Sequence, residues 1–310
     1  MYEIMKSVIS ERDKDYNRKY KVILDTDIEN EIDDKFALVY LLKSLDTFAL
    51  EAVTITPFRG SKYSTIKHNT YKNAKEGIDK GYDTALMLMD MLKINFNDRV
   101  YKGSTGFMYR GYNEDNDAVN KIIEICCKNS FTYILGIGGL TNIALAIKKA
   151  PSIINKFHLI WLGGNDLFYN KNNGFNFRQD IQATKDVFQS ILNLTVIPGI
   201  NVANQLTTTI YELEHYMKDH GEIGKYLCDE YRRCKPEIIG KSKTIWDISV
   251  IAYLINKEWF EIENFGRPSI NNDYSYSFNN QQSNDMQTTF VKRLSRNKIF
   301  ADFFKKFKTL

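Results

Sequence analysis

The sequence holds few of the residues that build zinc sites or disulfide frameworks. Its 310 residues include only four cysteines and four histidines. The cysteines are Cys126, Cys127, Cys228 and Cys234, and no two of them have the C-x-x-C spacing of metal-binding or redox motifs. We therefore expect reduced thiols that pack in the core or lie at the surface.

Long apolar runs and a surplus of one charge are also missing. The chain has no run of about 18 apolar residues, the length that a membrane-spanning helix requires. Residues 1–19 are polar and lack the uninterrupted apolar stretch of a signal peptide. The net charge is +4 and is spread along the chain. These absences predict a cytoplasmic protein with no membrane and no nucleic acid among its partners.

Acidic residues are concentrated in residues 22–38, which read VILDTDIENEIDDKFAL. An apolar run leads into Asp25 and Asp27, and a second pair, Asp33 and Asp34, opens a run with helical apolar spacing. Up to four carboxylates between two buried elements repel one another unless a cation, a proton or hydrogen bonds relieve the repulsion. Because all candidate donors are oxygens, the segment predicts a site for a hard divalent cation, Ca²⁺ or Mg²⁺.

Three other interpretations apply to the same segment. Acidic residues in the first turn of a helix stabilise that helix without any ligand. An EF-hand loop starting at Asp25 would need Gly at its sixth position and Glu at its twelfth, where the chain has Asn30 and Phe36. That interpretation fails. A strand followed by Asp-x-Asp, here Asp25 and Asp27, also fits a metal-dependent phosphatase with an aspartate nucleophile, and this alternative stays open.

Strand and helix patterns alternate along the chain. Buried strands are expected at 50–56, 133–137 and 194–198, and at 157–165 where paired glycines follow the strand; helices are expected at 63–80, 82–92, 118–128 and 141–150. This alternation predicts a Rossmann-like α/β fold, with an open, mostly parallel sheet and helices on both faces. We expect an N-terminal extension over 1–19 and a single domain over 20–310, with a helical excursion near 206–240.

Six short motifs follow one another along most of the chain. They are DTD at 25–27, DDKFAL at 33–38, GGLTNIALA at 138–146, WLGGN at 161–165, FNFRQD at 175–180 and WD at 246–247. In this order the chain resembles the inosine-uridine-preferring nucleoside hydrolase family over residues 20–304. The resemblance implies a Ca²⁺-dependent N-ribohydrolase with an open α/β fold that cleaves a ribonucleoside to free base and ribose. It also implies a homodimer or a homotetramer.

The resemblance further implies functions for single residues. The Ca²⁺ ligands would be Asp27, Asp34, Asp247 and the backbone carbonyl of Ile137. Asp33 would contact ribose hydroxyls, Asn176 would hold the ribose, and Asp27 would also act as general base towards a water molecule. Three carboxylates, one carbonyl, a water and two ribose hydroxyls would supply the six to eight oxygens that Ca²⁺ prefers.

The chain departs from the family pattern around the sugar. Its DTDIENEIDD is two residues longer than the family signature DTDPGxDD, and loops absorb insertions at small cost. Gly174 stands where the family has the Glu of a Glu-Phe-Asn motif, which removes a carboxylate that would hold sugar hydroxyls. A further sugar-contacting Asn has three candidates in this sequence, Asn170, Asn172 and Asn173, and the sequence does not choose among them.

The residue directly before Asp247 bears on which base the protein prefers. Pyrimidine-tolerant members of the family carry His there as the acid for the leaving group, and this chain has Trp246. An indole stacks on a purine but is a poor proton donor. Trp246 therefore favours a purine-leaning hydrolase, unless it is simply a core aromatic at a helix start. The second candidate function is a homologue that holds Ca²⁺ and a ribosyl ligand without turnover.

Overall fold

The computed structural model describes residues 19–59, 73–167, 169, 171–172, 174–234, 239–278 and 287–308. Nearly all of the expected N-terminal extension, part of the helix expected at 63–80, and the candidates Asn170 and Asn173 lie outside the described residues. The expectation of a single domain over 20–310 stays a prediction.

Eight strands form one sheet in the part of the chain that the structure describes: β1 Tyr20–Thr26, β2 Phe48–Ile55, β3 Val100–Lys102, β4 Thr132–Gly136, β5 Phe157–Leu162, β6 Asn193–Ile197, β9 Phe260–Gly266 and β12 Gln287–Leu294. Their order in the sheet is β3-β2-β1-β4-β5-β6-β12-β9. Neighbouring strands are parallel except β12 and β9, which are antiparallel. Two small antiparallel pairs add β7 Thr207–Thr208 with β8 Lys243–Thr244, and β10 Ser269–Ile270 with β11 Tyr276–Ser277. The predicted mostly parallel α/β sheet is confirmed.

The helices connect these strands. They are α1 Asp33–Leu42, α2 Ala74–Met91, α3 Asp117–Lys128, α4 Thr141–Lys149, α5 Phe175–Gln179, α6 Ile181–Gln189, α7 Ile210–Leu213, α8 Gly221–Cys234, α9 Ile248–Ile255 and α10 Arg296–Lys308. A π-helical turn, Glu214–Lys218, follows α7, and short 3₁₀ turns occupy Asn97–Arg99, Pro151–Ile153, Ala203–Gln205 and Lys257–Trp259. Among the described residues, none of these helices combines the length and the apolar character needed to span a membrane.

Strand β1 shows why the sheet is covered on both faces. Its side chains alternate between two hydrophobic cores, so Val22 and Leu24 pack with α1, α9 and α10, whereas Ile23 packs with α3, α4 and α6. All three side chains are fully buried. Since β1 is also bonded to a strand on each side, β2 and β4, its carboxyl end is fixed in place at the middle of the sheet.

Helix α2 corrects one expectation. The sequence pattern predicted separate helices at 63–80 and 82–92, but among the described residues a single helix runs through Gly81. A glycine inside a helix costs up to about 1 kcal/mol. A Cβ at Gly81 would lie 2.8 Å from the backbone oxygen of Ile28, so the missing side chain lets α2 pack closely against the acidic loop, residues 27–32.

Strand β9 was not predicted from the sequence. It lies at the edge of the sheet and most of its side chains are exposed, so it lacks the apolar pattern of the buried strands. Its acidic side chains face basic ones on β12, with Glu263 3.4 Å from Lys292. The strand is held by backbone pairing and charge rather than by burial.

The loop after β4 is held by side chains from two neighbouring strands. The indole nitrogen of Trp161, on β5, donates a hydrogen bond of 3.0 Å to the carbonyl of Gly138. The hydroxyl of Thr56, after β2, donates one of 3.0 Å to the carbonyl of Gly139. Trp161 is fully buried and packs on Phe177 and Phe188. These bonds fix the backbone directly after Ile137.

We expect Trp161→Phe to lower the free energy of unfolding by roughly 2–4 kcal/mol, because it leaves the buried Gly138 carbonyl unpaired and opens a small cavity. Urea denaturation followed by circular dichroism measures the change. Trp259→Phe is the matched control, since Trp259 is only partly buried, and it should cost less than about 1 kcal/mol. Equal stability of the two variants would contradict the assignment.

Candidate active site

A cavity of about 230 Å³ opens where β1, β4, β5 and β6 end. Ligands of open α/β sheets bind at the carboxyl ends of the strands, so this is the expected place for a site. The carboxylates of the lining are Asp27, Glu31, Asp33, Asp34 and Asp247; its glycines are Gly163, Gly164, Gly174 and Gly199; its apolar side chains are Ile137, Leu162, Phe175, Ile200 and Trp246. One part of the lining is therefore strongly acidic, and another presents bare backbone.

Three chain segments deliver the carboxylates. Asp27 follows directly after β1, Asp33 and Asp34 form the first turn of α1, and Asp247 immediately precedes α9. The N-terminal ends of two helices therefore lie beside the acidic part of the cavity. Their exposed N–H groups and dipoles favour negative charge, which offsets part of the repulsion among the carboxylates.

Asp33, Asp34 and Asp247 form a tight group. One carboxylate oxygen from each lies within 4.8 Å of the others, and each residue is only 3% exposed. Asp34 accepts a hydrogen bond of 2.5 Å from the hydroxyl of Thr26. The Oδ1 atom of Asp33 is buried and has no hydrogen-bond partner among the described residues. A buried carboxylate oxygen without a donor is costly unless another positive group occupies the site.

The electrostatics of the group point the same way. Burial, and then repulsion from Asp33, raises the pKa of Asp27 to about 8. Burial raises the pKa of Asp33 to about 6, although the Lys243 ammonium opposes the rise. Burial and the neighbouring carboxylates raise the pKa values of Asp34 and Asp247 well above their usual range. Without a counter-ion, these groups therefore hold protons that ordinary surface carboxyls release.

These residues fit a hard divalent cation. Two oxygens bound to one Ca²⁺ at about 2.4 Å lie no more than about 4.8 Å apart, which is the spacing that the three carboxylates already have. All potential metal ligands near the group are oxygens. A bound cation would neutralise the repulsion and would also give the buried Oδ1 atom of Asp33 a partner. The arrangement of the described residues is thus suited to Ca²⁺ or a similar ion.

The observed group differs from the predicted ligand set in one residue. Asp34 and Asp247 belong to both, but the third close carboxylate is Asp33, which we expected to contact ribose, rather than Asp27. Asp27 lines the same cavity and accepts a hydrogen bond of 3.0 Å from the side chain of Asn30 at its Oδ2 atom. Gly138 allows this placement, since a Cβ there would lie 3.0 Å from Asp27 Oδ1.

Asn176 and Ile137 are also brought together. The side-chain nitrogen of Asn176 donates to the carbonyl of Ile137 at 2.7 Å and to the carbonyl of Leu162 at 3.0 Å, so it bridges the ends of β4 and β5. These two acceptors use both amide hydrogens and leave Oδ1 as the group available to a ligand. The Ile137 carbonyl keeps a second lone pair, which is compatible with the predicted metal ligation.

The residues predicted around the sugar and the base fall into three cases. Trp246 and Gly174 line the cavity, as their predicted functions require. Asn172 is fully buried and holds the loop instead, since its side chain accepts from the Asn165 N–H and donates to the Tyr274 carbonyl. Asn170 and Asn173 lie outside the described residues.

Two chemically suggestive side chains do not join the site. Asp25 is buried against Thr54 at 2.6 Å and Asn142 at 3.0 Å and does not line the cavity. His158 lies within β5, where its ring bonds to the Thr195 hydroxyl and burial lowers its pKa to about 3. Both are structural, and Asp25 is badly placed to act as the nucleophile of a phosphatase at this cavity.

Sequence reasoning did not single out Asn30, Glu31 or Lys243. Asn30 and Glu31 lie in the acidic loop, and Glu31 forms an ion pair of 2.5 Å with the buried Lys243. For Asn30 and Glu31 the signal in the sequence is the length of the loop, which is two residues longer than the family signature. Inserted residues beside a cavity supply side chains as well as backbone.

Comparisons with known proteins agree with this geometry. Residues 22–301 match the sequence profile of the family described as inosine-uridine preferring nucleoside hydrolase. A curated relative, the probable uridine nucleosidase 1 of Oryza sativa subsp. japonica, is 35% identical over 100 residues. That match covers 31% of this chain and 31% of the rice protein, so it spans about a third of either length.

Solved structures are similar over most of the chain. A purine-preferring ribonucleoside hydrolase from Gardnerella vaginalis superposes with a TM-score of 0.73 at 21% identity, covering 93% of this chain and 98% of that one. The type III effector protein XopQ, solved in complex with adenosine diphosphate ribose, has a TM-score of 0.68 at 11% identity and covers 98% of both chains. At such identities the likeness shows a shared fold.

We expect the stability of the cation-free protein to fall as the pH rises from about 4 to about 8. A carboxyl whose pKa is higher in the folded state favours folding while it is protonated and loses that advantage on ionisation. The window follows from Asp33, with a pKa near 6, and Asp27, with a pKa near 8, against an ordinary value of 3.8. Added Ca²⁺ should therefore raise the melting temperature more at pH 8 than at pH 5.

Two variants make this test specific. Asp247→Asn should melt higher than the wild type at pH 8 in EDTA, because it removes a buried carboxyl that is costly there whether it ionises or keeps its proton, and it should lose most of the response to Ca²⁺. Asp25→Asn is the control and should keep the response, since Asp25 lies outside the cavity lining. A Ca²⁺ response that survives in Asp247→Asn would contradict the assignment of the cation site.

Proposed function

The chain belongs to the inosine-uridine preferring nucleoside hydrolase family, and we propose that it hydrolyses the N-glycosidic bond of ribonucleosides to free base and ribose. The observation that carries the proposal is the group of buried carboxylates beside a cavity at the strand ends, within the part of the chain that matches the family. Such a group costs stability and is retained where a ligand uses it.

We propose Ca²⁺ as the cofactor, held by Asp34 and Asp247 with Asp33 or Asp27 and the Ile137 carbonyl completing the set. A bound Ca²⁺ would supply positive charge that neutralises the carboxylates and polarises the water and the sugar hydroxyls beside it. Ca²⁺ fits better than zinc because every nearby donor is an oxygen. Its flexible coordination also tolerates a mixture of carboxylates and a carbonyl.

In the proposed reaction Asp27 accepts a proton from the attacking water. The water oxygen bonds to C1′ of the ribose, the bond from C1′ to the base nitrogen breaks, and the base leaves with the electron pair and takes a proton from solvent, while Asp27 returns its proton to solvent. Asn30 orients the Asp27 carboxylate through its hydrogen bond to Oδ2, which leaves Oδ1 for the water. The neighbouring carboxylates stabilise positive charge that develops on the sugar as the bond breaks.

For the base we propose a purine preference, supported by Trp246 in the cavity lining. An indole ring offers a large flat surface to a two-ring base and provides little acidity, so a base that can be protonated on its own ring is the better leaving group. The relatives differ on this point, since the rice protein is named as a uridine nucleosidase and the Gardnerella protein as purine-preferring.

A second candidate is a protein that holds Ca²⁺ and a ribosyl ligand without turnover. It is favoured by Gly174, which offers no side chain to the cavity, and by the likeness to XopQ, which was solved with adenosine diphosphate ribose. Calorimetric binding of a nucleoside together with no release of ribose would select it. The phosphatase alternative lacks support because Asp25 does not reach the cavity. Assembly into a homodimer or homotetramer and a cytoplasmic location stay predictions.

Asp27→Asn should lower kcat for inosine hydrolysis by about 100-fold or more, the usual contribution of a general base. The assay measures reducing sugar released in saturating Ca²⁺. Calorimetric Ca²⁺ binding should weaken less in Asp27→Asn than in Asp34→Asn, since Asp34 lies in the close group of three. A wild type that releases no sugar from any ribonucleoside above the level of Asp27→Asn would refute the hydrolase.

Trp246→Ala should lower kcat/KM for inosine about 10-fold more than for uridine, because stacking on an aromatic side chain contributes roughly 1–3 kcal/mol per base. Trp246→Phe keeps an aromatic ring and should retain most of the purine activity. The ratio of the two substrates is compared across the three proteins. If the wild type prefers uridine, or if the ratio does not change, the purine preference is wrong.

A further inference from the structure

Glu31 is the carboxylate of the cavity lining that lies outside the proposed cation and proton-transfer machinery. Asp33, Asp34 and Asp247 are grouped closely enough to share an ion, and Asp27 is bonded to Asn30. Glu31 lines the same cavity, and its side chain is 32% exposed. It is therefore the most accessible acidic group that a ligand meets there.

The position of Glu31 is fixed by a buried cation. Its Oε2 atom lies 2.5 Å from the ammonium of Lys243, whose side chain is only 6% exposed. Lys243 belongs to β8, four residues before Asp247, so the ion pair joins the acidic loop to the segment that delivers Trp246 and Asp247. The second oxygen, Oε1, has no hydrogen-bond donor among the described residues.

Outside the proposed cation and proton-transfer groups, Glu31 is the one carboxylate in the described lining. Four residues of the lining are glycines, Gly163, Gly164, Gly174 and Gly199, and they present only backbone. The other side-chain acceptors there are neutral amide oxygens, those of Asn30, Asn165 and Asn176. A ligand that carries several hydroxyl groups needs acceptors, and a carboxylate held by a buried lysine is a strong one.

From these observations we propose that Glu31 accepts a hydrogen bond from a hydroxyl of the ribosyl ligand through Oε1, with Lys243 as its positioning residue. The proposal rests on the proposed function, since it concerns the same cavity and the same class of ligand. It assigns a ligand contact to the acidic loop, which places Glu31 in the lining of the cavity.

The acidic loop offers a matched control. Glu29 lies two residues before Glu31, and it too is paired with a buried lysine, at 2.9 Å from Lys35, but it does not line the cavity. Glu29→Gln and Glu31→Gln therefore remove the same charge from the same loop. Only the second weakens the proposed contact.

The experiment measures kcat and KM for inosine in saturating Ca²⁺, together with the melting temperature of each variant. Glu31→Gln should raise KM about 10-fold with kcat within about twofold of the wild type, as expected when a charged hydrogen bond present in both bound states is weakened. Glu29→Gln should leave KM within about twofold, even if it lowers the melting temperature. An unchanged KM in Glu31→Gln, or an equal rise in Glu29→Gln, overturns the proposal.

Deoxy analogues of inosine identify the atom contacted. The ratio of KM between Glu31→Gln and wild type should fall to about 1 for whichever of the 2′-, 3′- or 5′-deoxy compounds lacks the bonded hydroxyl. A ratio that stays near 10 for all three places the contact elsewhere and overturns the assignment to a sugar hydroxyl.

Failure of the proposed function is recognised separately, in the wild type alone. If the wild type binds inosine without cleaving it, calorimetric dissociation constants replace KM and the same comparisons apply, with the hydrolase refuted and Glu31 still tested. If the wild type binds neither inosine nor ribose in Ca²⁺, the proposed function and the contact both fall. If the wild type is active and Glu31→Gln has no effect on KM, only the proposed Glu31 contact is refuted.

Discussion

Repulsion among buried carboxylates is the constraint to which the structure around the cavity responds. Asp33, Asp34 and Asp247 lie close together with almost no access to water, and Asp27 lies beside them. Two helix N-termini, the Thr26 hydroxyl and the Asn30 amide reduce the repulsion without removing it. Burial, and then the remaining repulsion, raises the pKa values of Asp27, Asp34 and Asp247, and a divalent cation is the group that would balance the negative charge.

Two buried lysines hold the acidic loop beside these carboxylates. Lys35 bonds Glu29 and also Glu230 on α8, and Lys243 bonds Glu31. Glu29 has a positive φ of 90°, which is unfavourable for a residue with a side chain, so the loop needs such anchors. Ion pairs that are removed from water fix geometry more than they add stability. Here they set the path of a loop that carries two carboxylates of the cavity lining, Asp27 and Glu31.

Much of the fold was predictable because its strands and helices follow simple patterns. The buried strands β1, β4 and β5 are continuous apolar runs, and α1 begins at the predicted acidic pair. What escaped prediction depends on contacts distant in sequence. The edge strand β9 has no apolar pattern, α2 runs through Gly81 where it packs closely on the acidic loop, and the ion pair of Glu31 with Lys243 joins two segments far apart in sequence.

The place of β12 in the sheet bears on the order in which the sheet can form. This strand follows β6 and β9 in sequence, yet it lies between them, parallel to β6 and antiparallel to β9. Until β12 pairs, β6 has an open edge and β9 has no partner in the large sheet. Because this pairing joins segments that are far apart in sequence, we expect it to form late in folding, and the β6 edge to be open to aggregation until then.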